Sequence, residues 1–257
     1  PVGSGLVIQP VGQAVLDRIG AGDMARQKGN AINRMLGHEA DHGRRVLDVW
    51  YDRSAGVNHG LAIHRAALFD AILQAALTRN SLTIVPSAAI AGVTDATNDT
   101  RRLILADGTR TDPFDLVIDA AGASSPLSPL VSRTLSYGAI WGTVDWPETD
   151  LPHDQLSQQY RRADRMIGAL PIGTMPGETV PKAAVFWSMP ADSHAAWTAR
   201  GLDAWKDEAI ALWPAIAPFL EQITDTGQMT MARYSHGTLR RPFGDRIAHI
   251  GDAAHRA

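Results

Sequence analysis

The chain has 257 residues, 45% of them hydrophobic and 20% charged, which is enough for one large or two coupled domains with a real core. Its net charge of −3, from 24 basic and 27 acidic residues, gives no reason to expect a nucleic acid or an acidic membrane as partner. It has no cysteine, which excludes disulfides, thiolate nucleophiles and cysteine metal sites. No apolar run reaches membrane-spanning length and no signal peptide is visible, so a cytoplasmic location is the default.

In chain order, Val11, Val15 and Ile19 fall at helical spacing between Pro10 and Gly20, the asymmetry expected of a helix start and stop. The runs 31–36 and 45–51 flank a polar, Gly-bounded segment and read as a hairpin. Residues 64–78 form the clearest helix, with Leu68, Phe69, Ile72, Leu73, Ala76 and Leu77 on one apolar stripe. Short strands follow at 82–85, 90–93, 103–105 and 114–118, with an Asp107-Gly108 turn among them. The run 114–118 passes into Asp119-Ala120-Ala121-Gly122 and reads as a strand buried on both faces of a layered α/β sheet. Strands at 137–146, 166–170 and 183–187 are richer in aromatics and read as an antiparallel sheet. A helix at about 202–221, bent by Pro214 and Pro218, precedes strands at 229–234 and 247–250.

The fold class is therefore α/β, with a nucleotide-binding layer interleaved with a substrate-facing sheet. Residues 1–27, 60–133 and 241–257 form the first; residues 28–59 and 134–240 form the second. The chain begins at Pro1 and stops just after Gly251-Asp252, with no room for the helix that should follow, so it reads as an internal fragment of a larger protein.

Two positions stand out chemically. At the end of the chain, a strand runs into Gly251, which permits a tight turn, and Asp252, a good first residue for a helix. Such a turn aims backbone N–H groups and one carboxylate at a ligand carrying phosphate and hydroxyls. Arg65 precedes Leu68, Phe69 and Ile72 by three, four and seven positions, which puts a cation on the apolar face of its own helix. A buried cation needs an anion: a ligand pyrophosphate, or a structural partner such as Asp115 or Asp119. Trp141 and Trp187, on the aromatic strands, are the candidates for a substrate pocket, whereas Arg161, Arg162 and Arg165 read as a solvated face.

Three tempting motifs fail. Gly3-Ser4-Gly5 has no strand before it, and Ile8 stands where a third Gly belongs. His38-Glu39-Ala40-Asp41-His42 has the zinc-protease letters, but it lies in a polar turn between Gly37 and Gly43, not on a helix, so no metal is expected. His255 has no partner at a readable spacing.

Several segments in order resemble the FAD-dependent aromatic hydroxylases, the single-component class A flavoprotein monooxygenases. They are Gly5–Gly20, Ile63–Leu73 with its Arg-x-x-Leu helix, Ala106–Ser125 with a strand like that of the Asp-Gly motif, and Gly251-Asp252-Ala253-Ala254-His255. The resemblance implies a Rossmann-like FAD/NAD(P)-binding fold, incomplete here, because the Gly-rich phosphate loop would lie before Pro1. It implies cofactor contacts from Arg65, from Ile90 through its backbone amide, from Gly122, and from Gly251, Asp252 and Ala253, with Asp252 on the ribityl chain of FAD. It implies that NAD(P)H reduces FAD, that O₂ reacts with the reduced flavin, and that a small aromatic or electron-rich substrate is hydroxylated without a catalytic side-chain nucleophile. Two departures accompany it: Ala121 stands where the motif has Asp, and Ser128 where it has Arg, which alters the expected recognition of the nicotinamide. The competing readings are another FAD-dependent oxidoreductase (dehydrogenase, oxidase or halogenase-like) and a flavin-free truncated fragment without activity.

Overall fold

The structure, a computed structural model, describes residues 3–51 and 59–256. Pro1, Val2, residues 52–58 and Ala257, which fall within ranges read from the sequence, lie outside the described residues. The chain opens with β1 (Gly5–Ile8), α1 (Pro10–Ile19), α2 (Gly22–Lys28), β2 (Asn30–Ile32), β3 (Arg34–Glu39), β4 (Arg45–Trp50), β5 (Gly60–His64) and α3 (Arg65–Leu77). Next come β6 (Ile90–Val93), β7 (Leu103–Leu105), β8 (Val117–Asp119), β9 (Arg133–Asp145), β10 (Gln155–Arg161), β11 (Arg165–Pro171) and β12 (Lys182–Pro190). Helices α4 (His194–Arg200), α5 (Leu202–Leu212) and α6 (Ala217–Leu220) precede β13 (Thr230–Thr238), β14 (Phe243–Gly244), β15 (Ile247–His249) and β16 (His255–Arg256). The chain divides into two compact units, Pro1–Leu82 with Ser136–Ala232, and Thr83–Leu135 with Arg233–Ala257. Among the described residues no helix is long and apolar enough to cross a membrane.

In the first unit, α1 starts on Pro10 and stops on Gly20, whose φ of 81° places it in the left-handed region. The helix is where the periodicity puts it, but its face is not. Val11, Val15 and Ile19 are exposed, and Gln13 and Leu16 turn inward. The same correction applies to α3. Only its small residues Ala67 and Ala71 are fully buried, while Phe69, Ile72 and Leu77 of the predicted stripe are exposed. Its start is set by His64, whose Nδ1 accepts the Ala66 N–H at 3.1 Å. β1, β5 and β2 form a small antiparallel sheet beneath these helices.

The large sheet of this unit runs β9-β12-β11-β10-β3-β4, with β13 beyond β9. It is not purely antiparallel as predicted: β3 and β10 pair parallel. β10 escaped the sequence reading because its segment, Gln155-Leu156-Ser157-Gln158-Gln159-Tyr160-Arg161, is polar; Gln155, Ser157 and Gln158 are nonetheless buried. Their hydrogen bonds make this tolerable. Gln155 Nε2 donates to Ser157 Oγ at 2.9 Å, and Gln158 Oε1 accepts from the Tyr160 hydroxyl at 3.0 Å.

The two faces of this sheet bury different cores. Ile140, Ile167, Val185 and Trp187 face the helical layer, where Trp197, Trp205 and Phe219 pack on them. Each such side chain contributes about 1.5–3 kcal/mol on burial. Trp141, Leu156, Leu170 and Ala184 face the other way, toward Ile32 of β2 and Ala62 of β5. The predicted helix at 202–221 is broken, not bent. Trp213 is extended (φ −149°, ψ 90°), as a residue before proline prefers, and α5 ends there. Arg161 and Arg165 are not a simple solvated face: both pair with Asp164 and Glu208.

In the second unit, β6 and β7 pair antiparallel, and Asp107-Gly108 makes the expected turn. Gly108 has φ +84°, and the Asp107 carboxylate accepts the Thr109 N–H at 2.9 Å. β8 pairs parallel with β15, and β14 antiparallel with β15. The strand read at 114–118 is shorter and shifted. Val117 and Asp119 are buried but Ile118 is exposed, so it is buried on one face only. Residues 82–85 form no strand. The end of β13 pairs with β16, Gly237 opposite Arg256 and Thr238 opposite His255.

Candidate functional site

β8 and β15 lie side by side in parallel register, Asp119 opposite His249, and each is followed at once by a tight turn. The first turn begins at Gly122 (φ +76°) and the second at Gly251 (φ +57°), conformations that side chains with a Cβ rarely adopt. Open space lies where a Cβ would stand at both glycines. The Gly251–Ala253 turn is a single 3₁₀ turn. No α-helix follows it among the described residues, and Asp252 does not cap it. The Asp252 side chain is exposed; its carboxylate has no partner among the described residues, while its backbone carbonyl accepts from Arg256 Nε at 3.2 Å. Ala253 is fully buried and its carbonyl accepts from Ser128 Oγ. Beside the first turn is a cleft of about 350 Å³, lined by Ile90, Leu103, Val117, Ile118, Ala121 and Pro126. The structure thus brings Ile90, Gly122 and Gly251–Ala253 into one unit.

The base of the two turns holds a feature the sequence reading missed. The Asp119 carboxylate is completely buried. It receives His249 Nδ1 at 2.8 Å, the Ser125 hydroxyl at 2.7 Å and the Ala121 N–H at 3.1 Å. Burial alone would raise its pKa, but these three donors outweigh it and hold the group below the usual carboxylate range. Asp119 is therefore ionised and fully satisfied, and is no free partner for Arg65. The only sequence signal was a charged residue in an otherwise apolar strand.

Arg65, in the first unit, opens α3. Its side chain is exposed, not on a buried helix face, and its guanidinium has no hydrogen bond or ion pair among the described residues. Its backbone N–H donates to Ser4, and its side chain lies against Gly3, where an added Cβ would meet Arg65 Cδ at 3.2 Å. The reason for the correction is local: α3 buries only its alanines, so a residue two positions before Ala67 has no wall to cover it. Gly5 opens β1 and the following helix begins with Pro10, so Gly3–Gly5 is no strand-to-helix phosphate loop. Neighbouring His64 has its pKa lowered by burial, which keeps the ring neutral and able to accept.

Trp141 and Trp187 stand on opposite faces of the large sheet. Trp141 is half-buried with its ring 4.5 Å from that of Phe186. Trp187 is fully buried beneath the helical layer, so it is a core residue. His38 and Glu39 end β3, and the Glu39 carboxylate is occupied by the N–H groups of Asp41 and His42. Among the described residues no three metal-ligating side chains come together.

No family model matches the chain. It is 22% identical, over 99% of its length, to 3-hydroxybenzoate 6-hydroxylase of Klebsiella oxytoca, and covers 64% of that protein, so it spans about two-thirds of the curated relative's length. It superposes on 2-methyl-3-hydroxypyridine-5-carboxylic acid oxygenase with a TM-score of 0.79 at 19% identity, covering 99% of this chain and 66% of that one. It superposes on Klebsiella pneumoniae HpxO complexed with FAD and uric acid with a TM-score of 0.76 at 16% identity, covering 100% of this chain and 65% of that one. The chain has the fold of the FAD-dependent hydroxylases. On this mixed α/β fold, β8 and β15 are a parallel pair, and the Gly122 and Gly251 turns lie at their carboxyl ends, where open α/β sheets bind ligands.

Proposed function

We propose that this chain belongs to an FAD-dependent monooxygenase that hydroxylates a small, electron-rich aromatic substrate with NAD(P)H and O₂. The observation that carries the reading is the pair of glycine turns at the carboxyl ends of two adjacent parallel strands, open to solvent and rimmed by the Asp252 carboxylate, which is unpaired among the described residues. These residues fit FAD. Gly122 and Gly251 let backbone approach it closely, Asp252 offers an acceptor to ribityl hydroxyls, and Ile90 lines a cleft of about 350 Å³. In the first unit, Arg65 carries a guanidinium unpaired among the described residues, the chemistry that binds a pyrophosphate. When bound, FAD supplies the redox chemistry with reductant and oxygen.

By role, residues 1–27, 60–133 and 241–257 hold the cofactor, and residues 28–59 and 134–240 hold the substrate. The work of the substrate side is to exclude water and orient a ring. The half-buried Trp141, stacked on Phe186, is the wall suited to it. A cytoplasmic location fits this reading.

The test is spectroscopic and chemical. Protein supplied with FAD should retain it through desalting, show the flavin absorption spectrum, and consume NAD(P)H faster when a hydroxylatable aromatic compound is present, with oxygen appearing in the product. Rapid NAD(P)H oxidation without oxygenated product would favour an oxidase or dehydrogenase. Failure to retain flavin would refute the cofactor assignment.

A further inference from the structure

The resemblance leaves the first turn without two anchoring groups, since Ala121 and Ser128 replace an acid and a base. The structure holds that turn by other means. Asp119, two residues before Ala121, points inward and binds both its own turn and the neighbouring strand. Its carboxylate accepts from Ala121 N–H and Ser125 Oγ on one side and from His249 on the other. Its carbonyl accepts the Ile250 N–H at 2.9 Å, immediately before Gly251. At the rim, Arg256 donates to the carbonyls of Ala123 and Asp252 and, at 2.8 Å, to Ser132 Oγ. The guanidinium therefore bridges the two turns directly.

We propose that Asp119 and His249 are positioning residues for the cofactor: a buried carboxylate–imidazole pair that locks the turn at 121–125 to the turn at 251–253. The inference rests on the FAD reading above. A buried carboxylate is costly unless every lone pair is met, so the pair has one low-energy arrangement. That arrangement sets where Gly122 and Gly251 present their backbone. The His249 ring carries its proton on Nδ1 to serve Asp119. Asparagine can offer an amide N–H from nearly the same place; leucine cannot.

The test compares the wild-type chain with His249→Leu, His249→Asn and the apolar double variant Asp119→Leu/His249→Leu, which leaves no orphaned buried charge. Two quantities are read: amide hydrogen exchange at 120–128 and 250–254 without FAD, and the Kd for FAD from flavin fluorescence. His249→Leu and the double variant should speed exchange in both turns at once and weaken FAD by about tenfold or more, the scale of losing a hydrogen bond to a charged group. His249→Asn should restore most of both. Exchange that is unchanged, or faster in one turn only, overturns the lock. Faster exchange in both turns with unaltered FAD affinity makes the pair merely structural and overturns its role. If the wild type binds no FAD, the functional reading fails along with the cofactor role, while the exchange data still decide the lock.

Discussion

Gly168 lies in β11 directly under the ring of Phe186, and Phe186 in turn stacks on Trp141. A methyl group added at Gly168 would stand 2.1 Å from Phe186 Cζ and 2.6 Å from Cε2. Contacts that short do not exist, so Gly168→Ala must move the ring. Phe186 is only 3% exposed and has little room to move into. Overpacking of this kind costs about 1–3 kcal/mol, and loss of the aromatic stack adds about 0.5–1.5 kcal/mol. At about 2–4 °C per kcal/mol for a chain of this size, Tm should fall by roughly 3–18 °C. Thermal unfolding followed by circular dichroism measures this, and tryptophan emission reports the change around Trp141. Phe186→Leu, which shortens the obstructing side chain, should recover part of the loss in the Gly168→Ala background. An unchanged Tm, or a double variant no better than the single one, would show that the face beside Trp141 is not packed as described.

His64 caps α3 through a neutral ring nitrogen, and burial lowers its pKa. Because the unfolded chain takes up the proton first, this contribution is fully present above the ordinary value of 6.5 and is lost as pH falls below it. His64→Asn, which caps at any pH, should flatten the stability–pH slope below the ordinary value of 6.5, and His64→Ala should cost about 0.5–2 kcal/mol at pH 8; an unchanged slope in denaturant titrations of His64→Asn would refute the cap. Trp187→Ala should lose about 3–5 kcal/mol of stability. Trp141→Ala should lose less but raise KM for the aromatic substrate, and the opposite pattern would reverse the two assignments.

How much was readable in the sequence depended on what each pattern encodes. Helix α1, the β3–β4 hairpin and the Asp107-Gly108 turn were legible because Pro, Gly and Asp act through local backbone geometry. Facing was not. Val11, Val15 and Ile19 repeat at helical spacing, yet the buried face belongs to Gln13 and Leu16, because the tertiary neighbours decide which side is covered. β10 was invisible since its burial is balanced by hydrogen bonds, which leave no hydrophobic period. The tight turn at Gly251 was legible because a glycine directly after a strand has a local signature, whereas Gly122 came from the resemblance alone. Asp119 and His249 were missed because 130 residues separate two partners that only strand register brings together.

Asp252, exposed beside the Gly251 turn, is proposed to hold the ribityl chain of FAD. Parallel titrations with FAD and with riboflavin, which keeps the ribityl chain but lacks the pyrophosphate, test that role. Asp252→Ala should weaken both ligands by about tenfold or more. Wild-type affinity of Asp252→Ala for both ligands, or a loss confined to FAD, would contradict it.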